Sequence, residues 1–397
     1  MIHIKAGWFV DGTGGPILKD VLLEIKKGKI ASIGKIESFP LVEEDVMDYS
    51  RCTVLPLFID CHVHLAMSGT EDPEFRQQQL RASFTEIRGV IAKNLQEQFD
   101  HGVIALRDGG DRSGYTLRYK GEFLIHDEIS VPYVSAGKAW HAEGRYGGLI
   151  GRPPVHGSSL SASILKETVH MDHIKIINSG LNSLTCYGLE TPPQFDIEPL
   201  REAISMGKDR GLSTMVHANG REAVRAAIEA GCHSIEHGFF MGDENLRRLR
   251  DHDIVWVPTI FTMETLSRIM MKQGDKSAEI AKKNLEHQIN QVSRAVDYGV
   301  VIAAGTDSGS PGVHHGAAIA EEIRMLISAG LSLEKAIQCA TCNGSVLLNV
   351  QGQTGRLIPG MPASFVVTRG GTDCMPGALN SPLSIWVHGK QVKQHME

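Results

Sequence analysis

The chain contains the stretch Phe58-Ile59-Asp60-Cys61-His62-Val63-His64-Leu65, an apolar run that ends with two histidines on either side of one valine. Because side chains alternate along a β-strand, His62 and His64 are expected to point to the same face. A strand that ends in two imidazoles is typical of a site at the C-terminal edge of a parallel sheet. A lone pair of strand histidines is also common as ordinary hydrogen-bonded core, so the rest of the chain has to decide between the two interpretations.

Seven further short apolar runs have the same form, because each stops in polar or glycine residues and several are followed by an amphipathic, helix-like run. In chain order they lie at 103–110, 131–138, 173–180, 213–220, 233–238, 254–259 and 301–309. Eight strand and helix units predict an α/β fold, a (β/α)8 TIM barrel. An open doubly wound sheet is the competing fold, but no GxGxxG motif follows an early strand.

The two ends of the chain have a different pattern. Short alternating runs, such as HIKAGWFV near the start and SIWVHGKQVK near the end, predict antiparallel strands. We expect these ends to pair, so that residues 1–54 and 354–397 form a small β-sandwich domain. Residues 55–353 then form the barrel domain.

Composition points to small-molecule chemistry. Among 397 residues, 40 basic and 46 acidic side chains give a formal net charge of −6, with no block of lysine and arginine. This charge balance argues against a nucleic-acid or membrane-surface partner. No run approaches the roughly 18 apolar residues of a membrane span, and the start of the sequence lacks a signal-peptide pattern. A small-molecule substrate and a cytoplasmic location are therefore expected.

Three other predicted strands carry possible metal ligands at their C-terminal ends. These ligands are His217, His237 and Asp307. Imidazole and carboxylate groups are the donors that Zn²⁺ and similar ions prefer. Lys175 lies in the apolar run 174–177, where a charged ammonium is costly unless it is paired or chemically altered. A salt bridge, or a stem that reaches out to solvent, is the alternative for this lysine.

Taken together, these residues resemble the amidohydrolase superfamily, in which HxH ends strand one, a lysine ends strand four, histidines end strands five and six, and an aspartate ends strand eight. The flanking runs LPLFIDCHVHL, ALRDGG, REAVRAAIEAGCHSIEHG and GTDSG look like those of imidazolonepropionases and of prolidase-like and arginine-carboxypeptidase-like enzymes. The resemblance covers nearly the entire chain. Since such relatives commonly assemble, it also implies a homo-oligomer.

The resemblance implies a binuclear metal centre. Lys175 would be carboxylated by CO2, and its carbamate would bridge two divalent ions. His62, His64 and Asp307 would bind one ion, and His217 and His237 the other. Zinc is the expected metal, although such sites also accept Mn²⁺, Co²⁺ or Fe²⁺.

The expected reaction is hydrolysis of a C–N amide bond in an N-acyl amino acid, a dipeptide or a cyclic amide. A hydroxide bridging the metals would attack, and Asp307 would carry its proton to the leaving nitrogen. A mononuclear-type deaminase of a nitrogen heterocycle is one alternative, although Lys175 and the lack of a glutamate close after His217 argue against it. A non-catalytic metal-binding barrel is the other alternative.

Three further residues carry expectations. His141 is the best match for a substrate-side histidine of the family, and His315 is a second candidate for substrate contact. Asp108 is expected to form an ion pair with Arg107 that supports a loop, so it is left out of the catalytic set.

Overall fold

The structure, a computed structural model, describes residues 1–39, 46–124, 131–167 and 170–394. Its strands are β1 (Ile2–Phe9), β2 (Leu18–Lys26), β3 (Lys29–Lys35), β4 (Val46–Pro56), β5 (Phe58–Val63), β6 (Val103–Asp108), β7 (Tyr133–Ser135), β8 (Ala139–Trp140), β9 (Gly151–Arg152), β10 (His173–Ile177), β11 (Ser213–Ala218), β12 (Ser234–His237), β13 (Val255–Val257), β14 (Phe365–Arg369), β15 (Ser384–Val387) and β16 (Lys390–Gln394).

The α-helices fall mostly between the parallel strands. They are α1 (Pro73–Arg81), α2 (Phe84–Asp100), α3 (Tyr115–Glu122), α4 (Leu160–Leu165), α5 (Ile197–Asp209), α6 (Arg221–Glu229), α7 (Gly242–Asp251), α8 (Ile260–Lys272), α9 (Ala278–Tyr298), α10 (Ala317–Ser328), α11 (Leu333–Cys339) and α12 (Cys342–Leu347). Within the described ranges, no helix is long and apolar enough to cross a membrane.

Strands from both chain ends form one seven-stranded sheet in the order β16-β15-β14-β4-β1-β2-β3. Its apolar face includes the stacked rings of Phe365 and Trp386, whose centroids are 5.4 Å apart. The pairing of the two ends agrees with the sequence pattern, but the sheet is mixed, because β1 and β4 run parallel. In this order β4 lies on the opposite side of β1 from β2 and β3, so β1 and β4 are not hairpin neighbours, and only hairpin neighbours must be antiparallel.

The remaining strands form parallel pairs, in chain order except that β8 pairs with β10 and leaves β9 at the edge. One sheet has the order β5-β6-β7, and a second has the order β13-β12-β11-β10-β8-β9. Helix α2 shows why the intervening segments are helical: Ser83 and Glu86 form a capping box, and Ile87, Ile91 and Leu95 bury one stripe at a spacing of four residues. The chain is therefore an α/β protein.

Residues 301–308, predicted as the eighth strand, make only isolated bridges. Ile302 bridges Trp256 of β13 and Ser308 bridges Val63 of β5, both in parallel. The segment thus lies between the two sheets. It is irregular because the Thr306 backbone N–H donates to the Asp60 carboxylate at 3.0 Å rather than to a strand carbonyl. Asp307 also adopts a positive φ of 56°.

Candidate metal centre

The two histidines of FIDCHVHL meet Asp307 at the C-terminal end of β5. The Nε2 atom of His62 lies 3.5 Å from Oδ1 of Asp307, and the Nε2 atom of His64 lies 3.3 Å from the same oxygen. One donor atom from each residue lies within 4.8 Å of the other two, a spacing that could hold one metal ion. His62 is buried, and Asp307 is 9% exposed. Three donors that face one point from two strand ends can therefore act as ligands of a single ion.

His217 and His237 lie beside this trio at the ends of β11 and β12. Their ring centroids are 4.6 Å apart, and the His237 ring is 5.0 Å from that of His62. His237 has its Nδ1 atom 2.7 Å from the Thr259 hydroxyl, which orients the ring and leaves Nε2 available. The structure thus brings the four histidines and the aspartate together, as the sequence predicts.

Lys175 lies in the middle of β10, which pairs with β11. Its side chain is 1% exposed, and its Nζ atom has no hydrogen-bond partner among the described residues. Burial lowers its pKa to about 8, although the charges of Glu236 and Asp307 act against that shift. Among the described residues, this lysine therefore neither forms a salt bridge nor extends its stem to solvent. An unpaired ammonium in such a position is costly.

Burial lowers the pKa of three of the four histidines, His62, His217 and His237, which favours the neutral form that binds metals. For His64, burial acts in the same direction, but the hydrogen bond with Asp307 and the charge of Asp307 raise the pKa above its usual value. Burial lowers the pKa of His217 to about 4. Burial, together with the charge of His217, lowers the pKa of His237 to about 3. For Asp307, burial alone would raise the pKa, but the hydrogen bond from His64 and the charges of the nearby histidines hold it well below its usual range. The site thus pairs the Asp307 carboxylate with His64 beside three histidines that burial keeps neutral, and this set of imidazole and carboxylate donors fits a divalent ion.

A buried ion pair beneath the site escaped the sequence analysis. Glu236 accepts a hydrogen bond at 2.9 Å from Nδ1 of His62, which leaves Nε2 facing Asp307. Arg107 holds this carboxylate at 2.8 Å and also donates to the Ser234 hydroxyl. A ligand histidine with its second nitrogen bound to a carboxylate has a fixed orientation and tautomer. The available signal was one charged residue inside each of two short strands, Arg107 in β6 and Glu236 in β12.

The expected ion pair between Arg107 and Asp108 is wrong, because the Arg107 guanidinium turns to Glu236. Asp108 does support loops, as predicted. It accepts hydrogen bonds from the backbone N–H groups of Leu65 and Gly110 and from the Thr116 and Ser135 hydroxyls. Successive strand residues point to opposite faces, so one of the two can reach across to β12 while the other stays with the loops.

Three residues at the site have a strained backbone. His237, Thr259 and Asp307 have positive φ values of 65°, 46° and 56°. Residues other than glycine rarely adopt this region, and such strain clusters at functional sites.

The two predicted substrate residues lie in different surroundings. His141 follows β8, whose Trp140 pairs with Ile176 of β10, and its Nδ1 atom is 2.9 Å from the Ala142 carbonyl oxygen. His315 is buried, with one ring nitrogen 2.9 Å from the Met67 carbonyl oxygen and the other 3.3 Å from the Gln98 amide. Both nitrogens of His315 are therefore engaged with the protein, whereas Nε2 of His141 remains available. Substrate contact by either residue stays a prediction.

Comparison with known proteins identifies the family. A model of the amidohydrolase family matches residues 53–394. The chain therefore belongs to the amidohydrolase family, whose members are metal-dependent, and it is a hydrolase that acts on carbon–nitrogen bonds. The resemblance seen in the sequence is thus confirmed.

Individual relatives are distant. An imidazolonepropionase from Geobacillus kaustophilus is 23% identical over 393 residues, which cover 88% of this chain and 84% of that protein. An uncharacterized protein from Mycobacterium tuberculosis is 23% identical over 361 residues, or 90% of each chain. The solved structure of a Xaa-Pro dipeptidase with bound methionine in its active site matches with a TM-score of 0.81 at 24% identity, over 99% of both chains. This last similarity shows a shared fold.

Proposed function

We propose that the protein is a binuclear metal-dependent amidohydrolase that hydrolyses the C–N amide bond of a small substrate. The observation that carries the proposal is the unpartnered, buried Nζ atom of Lys175 beside four histidines and Asp307. The ammonium would first lose one proton to give the neutral amine, and attack of this amine on CO2 would form a new N–C bond and release a second proton. The unpaired cation would thereby be replaced by an anionic oxygen ligand. A lysine with a purely structural role is expected to have an anionic or hydrogen-bonding partner, and Lys175 has no hydrogen-bond partner among the described residues.

Each of the six candidate ligands has a part in this proposal. His62, His64 and Asp307 would hold one ion, and His217 and His237 would hold the second. Carboxylated Lys175 would bind both ions. Zinc is the expected metal. When bound, two divalent ions lower the pKa of water and polarise the substrate carbonyl, which supplies a nucleophile near neutral pH.

Asp307 would move the proton. Its carboxylate would accept the proton of the attacking water. It would then deliver that proton to the leaving nitrogen, which an amide requires because an amide anion leaves poorly. The Ser310 hydroxyl donates to Oδ2 at 3.0 Å and would hold the carboxylate in place during this transfer.

The fold is proposed to be a closed (β/α)8 barrel with a small domain built from the chain ends. Support comes from Cys61, whose N–H donates to the Ala304 carbonyl at 3.0 Å, and from Asp172, whose N–H donates to the Ser135 carbonyl at 3.0 Å. The first bond joins β5 to the segment 301–308, which in turn bridges β13, and the second joins β7 to the residue before β10. The domain limits 1–54 with 354–397, and 55–353, follow as proposals, as do a cytoplasmic homo-oligomer and the lack of nucleic-acid and membrane partners.

The relatives suggest two substrate classes. Imidazolonepropionases and a Xaa-Pro dipeptidase are both similar to this chain, so cyclic amides and dipeptide-like amides are the first compounds to test. N-acyl amino acids are the third class, because they present the same type of bond.

The test is a hydrolysis screen of metal-reconstituted protein. N-acyl amino acids, Xaa-Pro and other dipeptides, and lactam or hydantoin-like rings are incubated with the wild type and with Asp307→Asn. We expect hydrolysis of one class, with a loss on the order of 100-fold or more in the variant, because general acid–base catalysis contributes about that much. Exposed Asp251 offers the matched control, Asp251→Asn. Ammonia release from aminated heterocycles without any amide cleavage would instead support the deaminase alternative.

A further inference from the structure

A cleft of about 380 Å³, open to solvent, begins at His64. Its walls come from the segment after β5, from α1 and the first turn of α2, and from the loops 110–115 and 149–150. Most of the lining is apolar, with Leu80, Ile87, Leu149 and Ile150 as its aliphatic part. This apolar lining, with a few polar groups in it, is that of a site for part of a small organic molecule.

Gln79 adds one specific polar group to this wall. Its side chain is 7% exposed, and Oε1 accepts a hydrogen bond from the Ser68 hydroxyl at 3.2 Å. Its Nε2 atom has no hydrogen-bond partner within the part of the chain that the structure describes. A buried N–H without an acceptor costs free energy, so an acceptor oxygen brought by a ligand would be favoured there.

The other polar residue deep in the lining cannot take that role. Asp111 already accepts hydrogen bonds from the backbone N–H groups of Ser113, Tyr115 and Thr116. Its oxygens are therefore occupied in shaping the loop. Only Gln79 combines deep burial, a place in the cleft wall and an unused donor among the described lining residues.

We propose that the cleft binds a non-reacting group of the substrate, an aryl or branched alkyl group that carries one oxygen acceptor, and that the Gln79 amide nitrogen binds this oxygen. The inference rests on the proposed function only in naming the ligand as a substrate group, because His64 joins the cleft to the candidate metal centre. The substrates would then be amides with an apolar group that bears a carbonyl or ether oxygen. A purely aliphatic group of the same shape would leave the Gln79 donor unpaired and would be discriminated against.

The test compares two probes of nearly identical shape. Acetophenone has an apolar ring and one acceptor oxygen, and α-methylstyrene replaces that oxygen with a methylene group. Binding to the purified full-length protein is measured by ligand-observed saturation-transfer NMR. We expect acetophenone to bind about fivefold more tightly than the alkene, the usual effect of one net hydrogen bond. In Gln79→Met, which keeps the shape and removes the donor, this preference should vanish.

Two further variants locate the binding. Gln78→Met makes the same change at an exposed position of the same helix and should keep the preference. Leu149→Arg, at a half-exposed position of the rim, should weaken both probes at least threefold without disturbing the core. Equal binding of the two probes to the wild type, a preference that survives Gln79→Met, or binding unaffected by Leu149→Arg would each overturn the proposal.

Failure of the cleft and failure of the proposed function can be distinguished. If acetophenone shows the expected preference but no amide is hydrolysed, the cleft is a ligand site and the hydrolase proposal falls. If amides are hydrolysed and the probes show no preference, the cleft proposal falls alone. When both hold, acetophenone should inhibit hydrolysis competitively in the wild type and several-fold less in Gln79→Met.

Discussion

Single residues at the candidate centre are held by contacts between strands far apart in the sequence. Glu236 is 129 positions from Arg107 and 174 from His62, and all three are buried together. Residue type and strand position sufficed to predict His62, His64, His217, His237 and Asp307 as one group. They did not suffice for Glu236, because a glutamate in a short strand gives no sign of which distant arginine or histidine it faces.

The Glu236 carboxylate is expected to control metal affinity. Replacing it in Glu236→Gln removes the charge that holds His62 and Arg107, while nearly preserving shape. Loss of such a supporting partner weakens metal binding by about 10-fold to 100-fold. Competition with a chelating dye measures the affinity, and Glu244→Gln, which changes a mostly exposed ion-paired glutamate, is the control. Wild-type affinity in Glu236→Gln would show that His62 needs no such support.

At the scale of elements, a side chain of helix α10 caps the N-terminus of helix α8. Thr259, at the N-cap of α8, uses its hydroxyl for His237, so it makes no side-chain cap hydrogen bond. Glu322 of α10 instead accepts from the backbone N–H groups of Ile260 and Phe261 at 3.0 and 2.8 Å. The oxygens of a carboxyl group at a helix N-terminus satisfy backbone N–H donors that have no partner within the helix. The strand-end Thr259 is thereby free to orient a candidate ligand.

Glu322 should make stability depend on pH. Burial raises its pKa to about 8, with its two backbone hydrogen bonds acting against the shift. Between about pH 4.5 and 8, the folded state therefore holds a proton that an unfolded glutamate releases, so this group's contribution to stability falls as pH rises. Glu322→Gln should lose less stability across that window. Urea unfolding of metal-free protein at pH 5 and pH 8 checks this.

The matched control for that comparison is Glu321→Gln, which changes the neighbouring, partly exposed residue of α10. It should keep the wild-type pH dependence. An identical change in the free energy of unfolding between pH 5 and pH 8 for wild type and Glu322→Gln would contradict the assignment.

At the scale of the whole molecule, periodic patterns predicted more than irregular segments did. Seven of the eight runs of the FIDCHVHL type were correctly predicted as parallel strands, and the alternating runs at the chain ends predicted their pairing. Both patterns could be read because strand alternation and burial are local properties. The eighth segment, around Thr306, was predicted as a strand but is held by the Asp60 side chain. The cleft at His64 was not predicted, because its walls come from loops and α1, whose packing depends on the whole fold.

The proposed two-metal centre also depends on the fold of the whole molecule, because its ligands come from five separate segments of the chain. In that proposal, binding of the second ion depends on Lys175. Its replacement by alanine leaves the four histidines and Asp307 in place, so a mononuclear and a binuclear site can be told apart by counting ions.

The decisive measurement is metal stoichiometry by elemental analysis after incubation with Zn²⁺ and bicarbonate and then dialysis. The wild type and the exposed-site control Lys283→Ala should each retain about two equivalents per chain. Lys175→Ala should retain about one or fewer and lose hydrolysis. Two retained ions with full activity in Lys175→Ala, or no retained ion in the wild type, would contradict a binuclear amidohydrolase.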